Sequence, residues 1–337
     1  MTKTLILPGV YQPKLNFIQT EAAIKQVKDF FESEISANLN LKRVSAPILL
    51  KAGNGINDNL NGVERIVSFD AMDIKHSSIE VVQSLAKWKR MALDRYGFLP
   101  GEGLYTDMNA IRRDEVLDNV HSMYVDQWDW EKVITYKERT LTTLQSEVIK
   151  IYRSLKSTEQ YLCSLYPQIK PILPEDIKFI TTQELEDHYP NLTPKEREDE
   201  IAKEFGAVFI MKIGGNLVSG ERHDGRSPDY DDWNLNGDII LWYPLLERAF
   251  EISSMGIRVD EFALLNQLKE SNNENRIQLK YHQAILNKEL PYTIGGGIGQ
   301  SRLCMFLLRK AHIGEVQVSV WNDEVINDCK KANIPLL

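Results

Sequence analysis

The chain has 337 residues, 43% hydrophobic and 26% charged, with 40 Lys and Arg against 48 Asp and Glu for a net charge of −8. Those proportions exclude a disordered, collagenous or disulfide-scaffold protein, and at roughly 150 residues per domain the length allows two domains or one large one. The acidic balance disfavours extended polyanion binding, because phosphate contacts supply most of that affinity.

In chain order, Leu5, Ile6 and Leu7 form an apolar stretch too short for the roughly 7 to 15 apolar residues of a signal peptide. No later run approaches the roughly 18 apolar residues of a membrane span. Over 16–35, Phe17, Ile24, Val27, Phe30, Phe31 and Ile35 fall largely at three- and four-residue steps and predict an amphipathic helix, with Asn38 and Asn40 punctuating its end. Residues 41–50 read as one strand, with Pro47 marking an edge or a terminus, and a Gly/Asn-rich loop follows at 53–62. Over 138–165, Leu141, Leu144, Val148, Ile151, Leu155, Thr158, Leu162 and Leu165 form a long helical stripe of the kind that packs into a core. Pro167, Pro171 and Pro174 interrupt it, and 195–203 reads as a charged, solvated helix. No composition shift marks a boundary, so the expected organisation is one domain over 1–337 with a peripheral, mostly helical insertion near 138–205. Cys163, Cys304 and Cys329 are odd in number and far apart, which gives no disulfide framework and fits a reducing compartment. The expectation is a cytoplasmic protein.

Four segments could carry chemistry. Over 109–115, Arg112 and Arg113 stand beside Asp114 and Glu115; an arginine fork suits phosphate, although a surface ion-pair cluster explains the same residues. Over 121–131 a strand period of two places Gln127, Asp129 and Glu131 on one face and Asp126, Trp128 and Trp130 on the other. The tryptophans can bury against a helix while the opposite face presents an amide and two carboxylates, though a solvated strand face alternates in the same way. Between 236 and 260, Asp238 and Glu251 lie in apolar strands where an unpaired acid is costly, which makes them candidate Mg²⁺ ligands; Glu251 and Ser253 would share a face. Over 293–308, Gly295, Gly296, Gly297 and Gly299 lead into an apolar helix that carries Arg302 near its start. That run has neither the Gly-Lys-Ser/Thr of a P-loop nor the dinucleotide fingerprint, and a tight strand-to-helix turn is the competing explanation.

Taken in order, these segments resemble the catalytic core of class II aminoacyl-tRNA synthetases. The helix and strand ending at Pro47 look like that family's first motif, Arg112 with Gln127, Asp129 and Glu131 like its second, and 297–302 like its third. A narrower resemblance, to the ammonia-dependent asparagine synthetases, rests on 84–90, 124–131, 228–233 and 253–258 and spans essentially the whole chain.

That resemblance implies an α+β fold, a mixed and mainly antiparallel sheet flanked by helices, and a homodimer built partly on the first motif. It implies ATP and Mg²⁺, with aspartate activated as β-aspartyl adenylate before ammonia displaces AMP. Carried over, Arg112 and Arg302 hold the ATP phosphates, with Ser253 and Gly297 in the same nucleotide site, and Asp238 and Glu251 hold Mg²⁺. Two registers leave Arg112 or Arg113 for the α-phosphate, with Arg112 favoured. Ser84, Lys89, Gln127, Ser254 and Arg258 look like aspartate-binding residues, Asp129 faces the α-amino group, and Asp58 or Asp231 orients ammonium or accepts its proton. Without the resemblance, Lys89 would read as an exposed helix lysine like Lys87 and Arg90.

Two rivals remain: a true aspartyl- or asparaginyl-tRNA synthetase, and a non-catalytic synthetase paralogue. Against the first, residues 1–15 leave no room for an N-terminal anticodon-binding barrel, so neither tRNA nor another nucleic acid is expected. Against the second, Arg112, Arg302, Asp238 and Glu251 are all present. A glutamine-dependent amide synthetase commonly needs an activated cysteine; position 2 is Thr, and the cysteines have no defensible partners, which points to free ammonia. The six histidines show no metal-ligand spacing, so no zinc is assigned.

Overall fold

The computed structural model describes residues 5–58 and 64–337; the predicted loop at 53–62 therefore lies partly outside the described residues. The first helix, α1 (Phe17–Leu39), buries Ala23, Val27, Phe31, Ile35 and Leu39, four residues apart, on one face. Asn16 starts it through a capping box with Gln19, and Asn40 closes it in the left-handed region at φ 59°, so it runs one turn beyond the predicted end.

The predicted strand over 41–50 is two short strands in different sheets. β1 (Leu41–Arg43) pairs parallel with β5 (Gly103–Ile111), and β2 (Leu49–Lys51) pairs in a small sheet of order β2-β4-β3 with β3 (Ser68–Ala71) and β4 (Ile74–Val81). The chain leaves the first sheet around Pro47, which has no N–H to continue a ladder. Helix α2 (Ala86–Tyr96) follows, then β5 and β6 (Tyr124–Val133) form an antiparallel pair.

As the alternation predicts, Trp128 and Trp130 turn towards the helices, with the Trp128 ring centroid 4.9 Å from that of Phe31, and Asp126 on the same face pairs with Lys28 of α1 at 3.1 Å. Helix α3 (Leu141–Leu165) lies along α1 and buries Leu144, Val148, Ile151, Leu155 and Leu162 in the same core. Each such side chain contributes about 1.5–3 kcal/mol.

Beyond it come β7 (Lys178–Thr181), α4 (Thr182–His188), α5 (Pro194–Phe205) and β8 (Ala207–Met211). The charged helix α5 is not merely solvated: it buries Arg197, Glu198, Ile201 and Ala202 while its opposite face stays in water. The hairpin of β9 (Asp231–Tyr243) and β10 (Arg248–Arg258) leads to α6 (Glu261–Glu270) and α7 (Lys280–Leu286). β11 (Thr293–Gly299) runs directly into α8 (Gln300–Leu307), and α9 (Asp323–Lys331) ends the described helices. The main sheet has eight strands in the order β1-β5-β6-β11-β10-β9-β8-β7, parallel only at its two outer pairs. Among the described residues no helix is long and apolar enough to cross a membrane.

Candidate active site

The face of the central strands opposite α1 and α3 carries a cleft of 550 Å³. Its floor explains the glycine run. Residues 293–299 are a strand and not a turn, and none of its glycines has a positive φ. They are there for space: a Cβ on Gly297 would lie 2.5 Å from Gln127 Oε1 and 2.7 Å from Asp129 Oδ1, and one on Gly295 would lie 2.0 Å from Glu131 Oε2. Because β11 presents no side chain there, the polar face of β6 can lean across it.

At one end of the cleft stands a dense ion cluster. Arg258, at the end of β10 and 2% exposed, donates from Nε to Glu131 Oε1 at 2.9 Å and from Nη2 to Oε2 at 2.7 Å, while Nη1 pairs with Asp231. Thr293 Oγ1 donates to Glu131 Oε1 at 2.6 Å. Lys89 is buried on α2, donates to the Gly296 carbonyl at 2.8 Å and stands 3.4 Å from Asp129. Burial lowers the Lys89 ammonium pKa although Asp129 opposes the shift, and burial raises that of Asp129 against Lys89 and Arg258. Burial also presses on Glu131, but Arg258 outweighs it and holds the carboxylate below its ordinary value. Ser84 and Gln127 line the same end.

At the other end, Arg302 on α8 places Nη1 3.5 Å from Glu251 Oε2. Arg112 follows β5 and lines the cleft with its Nε buried and unpartnered among the described residues, whereas its neighbour Arg113 is exposed and does not line it. Burial pushes Asp238 up to about 6 against the pull of Arg226, with Glu251 adding to the rise. Glu251 itself ends below its ordinary value: desolvation raises it, and Arg302, Lys195 and Arg226 overcome that.

Twelve of the fourteen predicted site residues thus line one cleft: Ser84, Lys89, Arg112, Gln127, Asp129, Asp231, Asp238, Glu251, Ser254, Arg258, Gly297 and Arg302. The two others do not. A register shift between Glu251 and Ser253 resets the alternation, so Ser254, not Ser253, joins Glu251 on the cleft face, and the Ser253 hydroxyl is buried without a partner among the described residues. Asp58 is 1% exposed outside the cleft lining, with neither carboxylate oxygen hydrogen-bonded among the described residues. Burial pushes it up to about 6 although Lys87 pulls it down.

A family model for aspartate–ammonia ligase matches residues 18–333. An aspartate–ammonia ligase of Ruminiclostridium cellulolyticum is 63% identical over 334 residues, 99% of each chain. The chain belongs to the aspartate–ammonia ligase family. The ligase of Clostridium perfringens is 62% identical over 333 residues, again 99% of each chain. Among solved structures, an asparaginyl-tRNA synthetase of Pyrococcus horikoshii complexed with asparaginyl-adenylate superposes with a TM-score of 0.65 at 16% identity, over 90% of this chain and 70% of that one. One from Entamoeba histolytica gives 0.62 at 14% identity, over 89% of this chain and 66% of that one. The ligase therefore has the fold of a class II aminoacyl-tRNA synthetase core, as the motif order implies.

Two residues at the ligase's cleft, Glu131 buried beneath Arg258 and Arg226 in the lining, carry no role in the sequence reading. Glu131 is visible in the alternation with Gln127 and Asp129, yet only the structure shows it holding Arg258. Arg226 lies on the segment 212–230, where no periodicity exists to point at it; its one signal is that it stands two residues before the quoted segment 228–233.

Proposed function

We propose that this chain makes L-asparagine from L-aspartate and ammonia, driven by ATP, in two steps within the one cleft. In the first, a β-carboxylate oxygen of aspartate bonds to the α-phosphorus of ATP and the bond to the pyrophosphate oxygen breaks, leaving β-aspartyl adenylate. In the second, the nitrogen of ammonia bonds to the β-carbonyl carbon, the C–O bond to AMP breaks, and one N–H proton is lost to a carboxylate.

The observation that carries this reading is that both halves of the required recognition meet in one connected array. Arg258 pairs with Asp231, Arg226 stands between Asp231 and Asp238, and Asp238 shares the cleft with Glu251 and Arg302 at the phosphate end. Arg258 and Lys89 supply cations for the α-carboxylate, Asp129 takes the α-ammonium, and Gln127, Ser84 and Ser254 offer neutral hydrogen bonds. With the α-end held so, the β-carboxylate is the group left to face the nucleotide. Arg112 and Arg302 take phosphate oxygens, and Gly297 lets the reacting groups approach the strand backbone. In-line phosphoryl chemistry asks mainly for such positioning and charge neutralisation. Asp231, which lines the cleft beside Arg258, is the group for orienting ammonium or accepting its proton; Asp58, outside the cleft lining, does not reach it there.

Asp238 and Glu251 fit Mg²⁺: they are carboxylates on neighbouring strands facing one cleft, the donor set of an ion that completes its shell with water and phosphate oxygens. When bound, the ion neutralises triphosphate charge. No thiol serves as a nitrogen-transfer nucleophile in this scheme, and burial pushes the Cys304 thiol up to about 12 and that of Cys329 up to about 11. The exposed Val10, Phe17 and Ile18 beside the start of α1 support a homodimer through that region.

Purified protein given Mg-ATP, aspartate and ammonium should form asparagine, AMP and pyrophosphate in equal amounts without tRNA. Formation of ADP in place of AMP, or strict dependence on tRNA, would overturn the proposal.

A further inference from the structure

Arg226 sits on the segment 212–230 between β8 and β9, not on the sheet. Its side chain is 9% exposed. Nη2 donates to Asp238 Oδ1 at 2.6 Å, Nη1 donates to Ser254 Oγ, and Nε stands 3.7 Å from Asp231 Oδ2 without a hydrogen-bond partner among the described residues. The backbone that follows it is held, the Ser227 carbonyl accepting from Trp233 Nε1 at 3.4 Å and the Pro228 carbonyl from Gln267 Nε2 at 2.9 Å. The guanidinium can therefore be re-aimed by side-chain torsions while the backbone at 227–228 stays in place.

Asp238 is one of the two carboxylates assigned above to Mg²⁺, and the inference rests on that assignment. A guanidinium held on one oxygen of a carboxylate weakens that carboxylate's hold on a divalent ion, because the two cations repel each other strongly in a partly desolvated cleft. Glu251 is different: its side chain is 44% exposed, and Arg302 stands 3.5 Å away. Both carboxylates thus face an arginine, but Arg302 stands off from a half-exposed Glu251 whereas Arg226 hydrogen-bonds Asp238 at 2.6 Å.

We propose that Arg226 holds Asp238 in the nucleotide-free enzyme and gives it up when Mg²⁺ arrives with ATP, turning instead to a phosphate oxygen of the same nucleotide. A carboxylate already neutralised does not collect a loose divalent ion. The triphosphate supplies both a metal and a competing anion, so it alone drives the exchange. Arg226 is then a third phosphate-binding arginine, and Asp238 is spared from standing uncompensated in an acidic protein between turnovers.

The test is Mn²⁺ binding followed by electron paramagnetic resonance, with and without a non-hydrolysable ATP analogue, for the wild type, Arg226→Met, Arg226→Lys and Asp238→Asn. Arg226→Met should bind Mn²⁺ without nucleotide about 5- to 150-fold more tightly than the wild type, the usual span for ligands coupled through one site, and should bind the nucleotide more weakly. Arg226→Lys keeps the charge and should fall between the two; it preserves the comparison if the Met variant does not fold. If Asp238→Asn loses Mn²⁺ but Arg226→Met binds it as the wild type does, the exchange is refuted and the metal assignment stands. If Asp238→Asn keeps its full affinity for Mn²⁺ with nucleotide, the metal assignment fails and the inference falls with it.

Discussion

Replacing Glu131 with Gln keeps the side chain's shape and removes the charge beneath Arg258. The carboxylate is fully buried and accepts from Arg258 at 2.9 and 2.7 Å and from Thr293 at 2.6 Å, with Lys89 3.9 Å away. A Gln amide offers one oxygen where two accepted, so at least one buried donor is left facing an N–H. Breaking a buried pair typically costs about 3–5 kcal/mol. Asp231 still compensates Arg258, which places this variant at the lower end, about 3 kcal/mol, or a fall in Tm of about 4 °C for a chain of this size.

The pH dependence has a definite sign. The folded-state pKa of Glu131 lies below its ordinary 4.5, so its stabilisation is present above that value and lost as pH falls through the lower, folded-state one. The gap in Tm between wild type and Glu131→Gln should therefore narrow on acidification below about pH 4.5. Kinetics separate positioning from bulk stability: misplacing Arg258 should raise KM for aspartate about tenfold or more, the equivalent of about 1.4 kcal/mol, and leave KM for ATP within about twofold. Equal rises in both KM values, or no loss of Tm, would refute the reasoning.

The glycine floor gives a paired prediction. Gly297→Ala should fold yet raise KM for aspartate about tenfold or more, because its Cβ meets Gln127 and Asp129 at 2.5 and 2.7 Å. Gly296→Ala should instead lose about 1–3 kcal/mol of stability, read as a lower Tm, because its Cβ meets Met255 Cβ at 2.5 Å and the Ser254 carbonyl at 2.7 Å. Arg302→Ala should nearly abolish AMP formation while the circular dichroism spectrum stays unchanged; normal turnover would remove Arg302 from the site. Asp58 is pushed from 3.8 up to about 6, so its neutral form favours the fold and stability should decline as pH rises between those values. Asp58→Asn should flatten that decline by up to about 3 kcal/mol in a pH series of thermal melts.

Local periodicity made much of this molecule legible. The buried stripes of α1 and α3 are spaced as the sequence shows them, and the alternation of β6 separates Trp128 and Trp130 from Gln127 and Asp129 because a strand in a two-layer domain has one dry face. What stayed hidden depends on partners distant in the chain. Nothing local distinguishes Lys87, Lys89 and Arg90 from solvated helix residues. Their burial follows from Asp229 at 2.9 Å, from the Gly296 carbonyl, and from the Pro291 and Val259 carbonyls. The bulge that trades Ser253 for Ser254 arises from pairing in the β9–β10 hairpin, and the break in 41–50 from pairing with two different sheets. Arg226 was invisible because a segment without regular structure carries no period to be read.

The most direct test of the adenylate route uses aspartate labelled with ¹⁸O in its β-carboxylate, with ATP and ammonium, and mass spectrometry of the products. If the β-carboxylate attacks the α-phosphorus, one labelled oxygen leaves on AMP for every asparagine formed. Label in orthophosphate with ADP as the nucleotide product, or AMP carrying no label, would contradict the account.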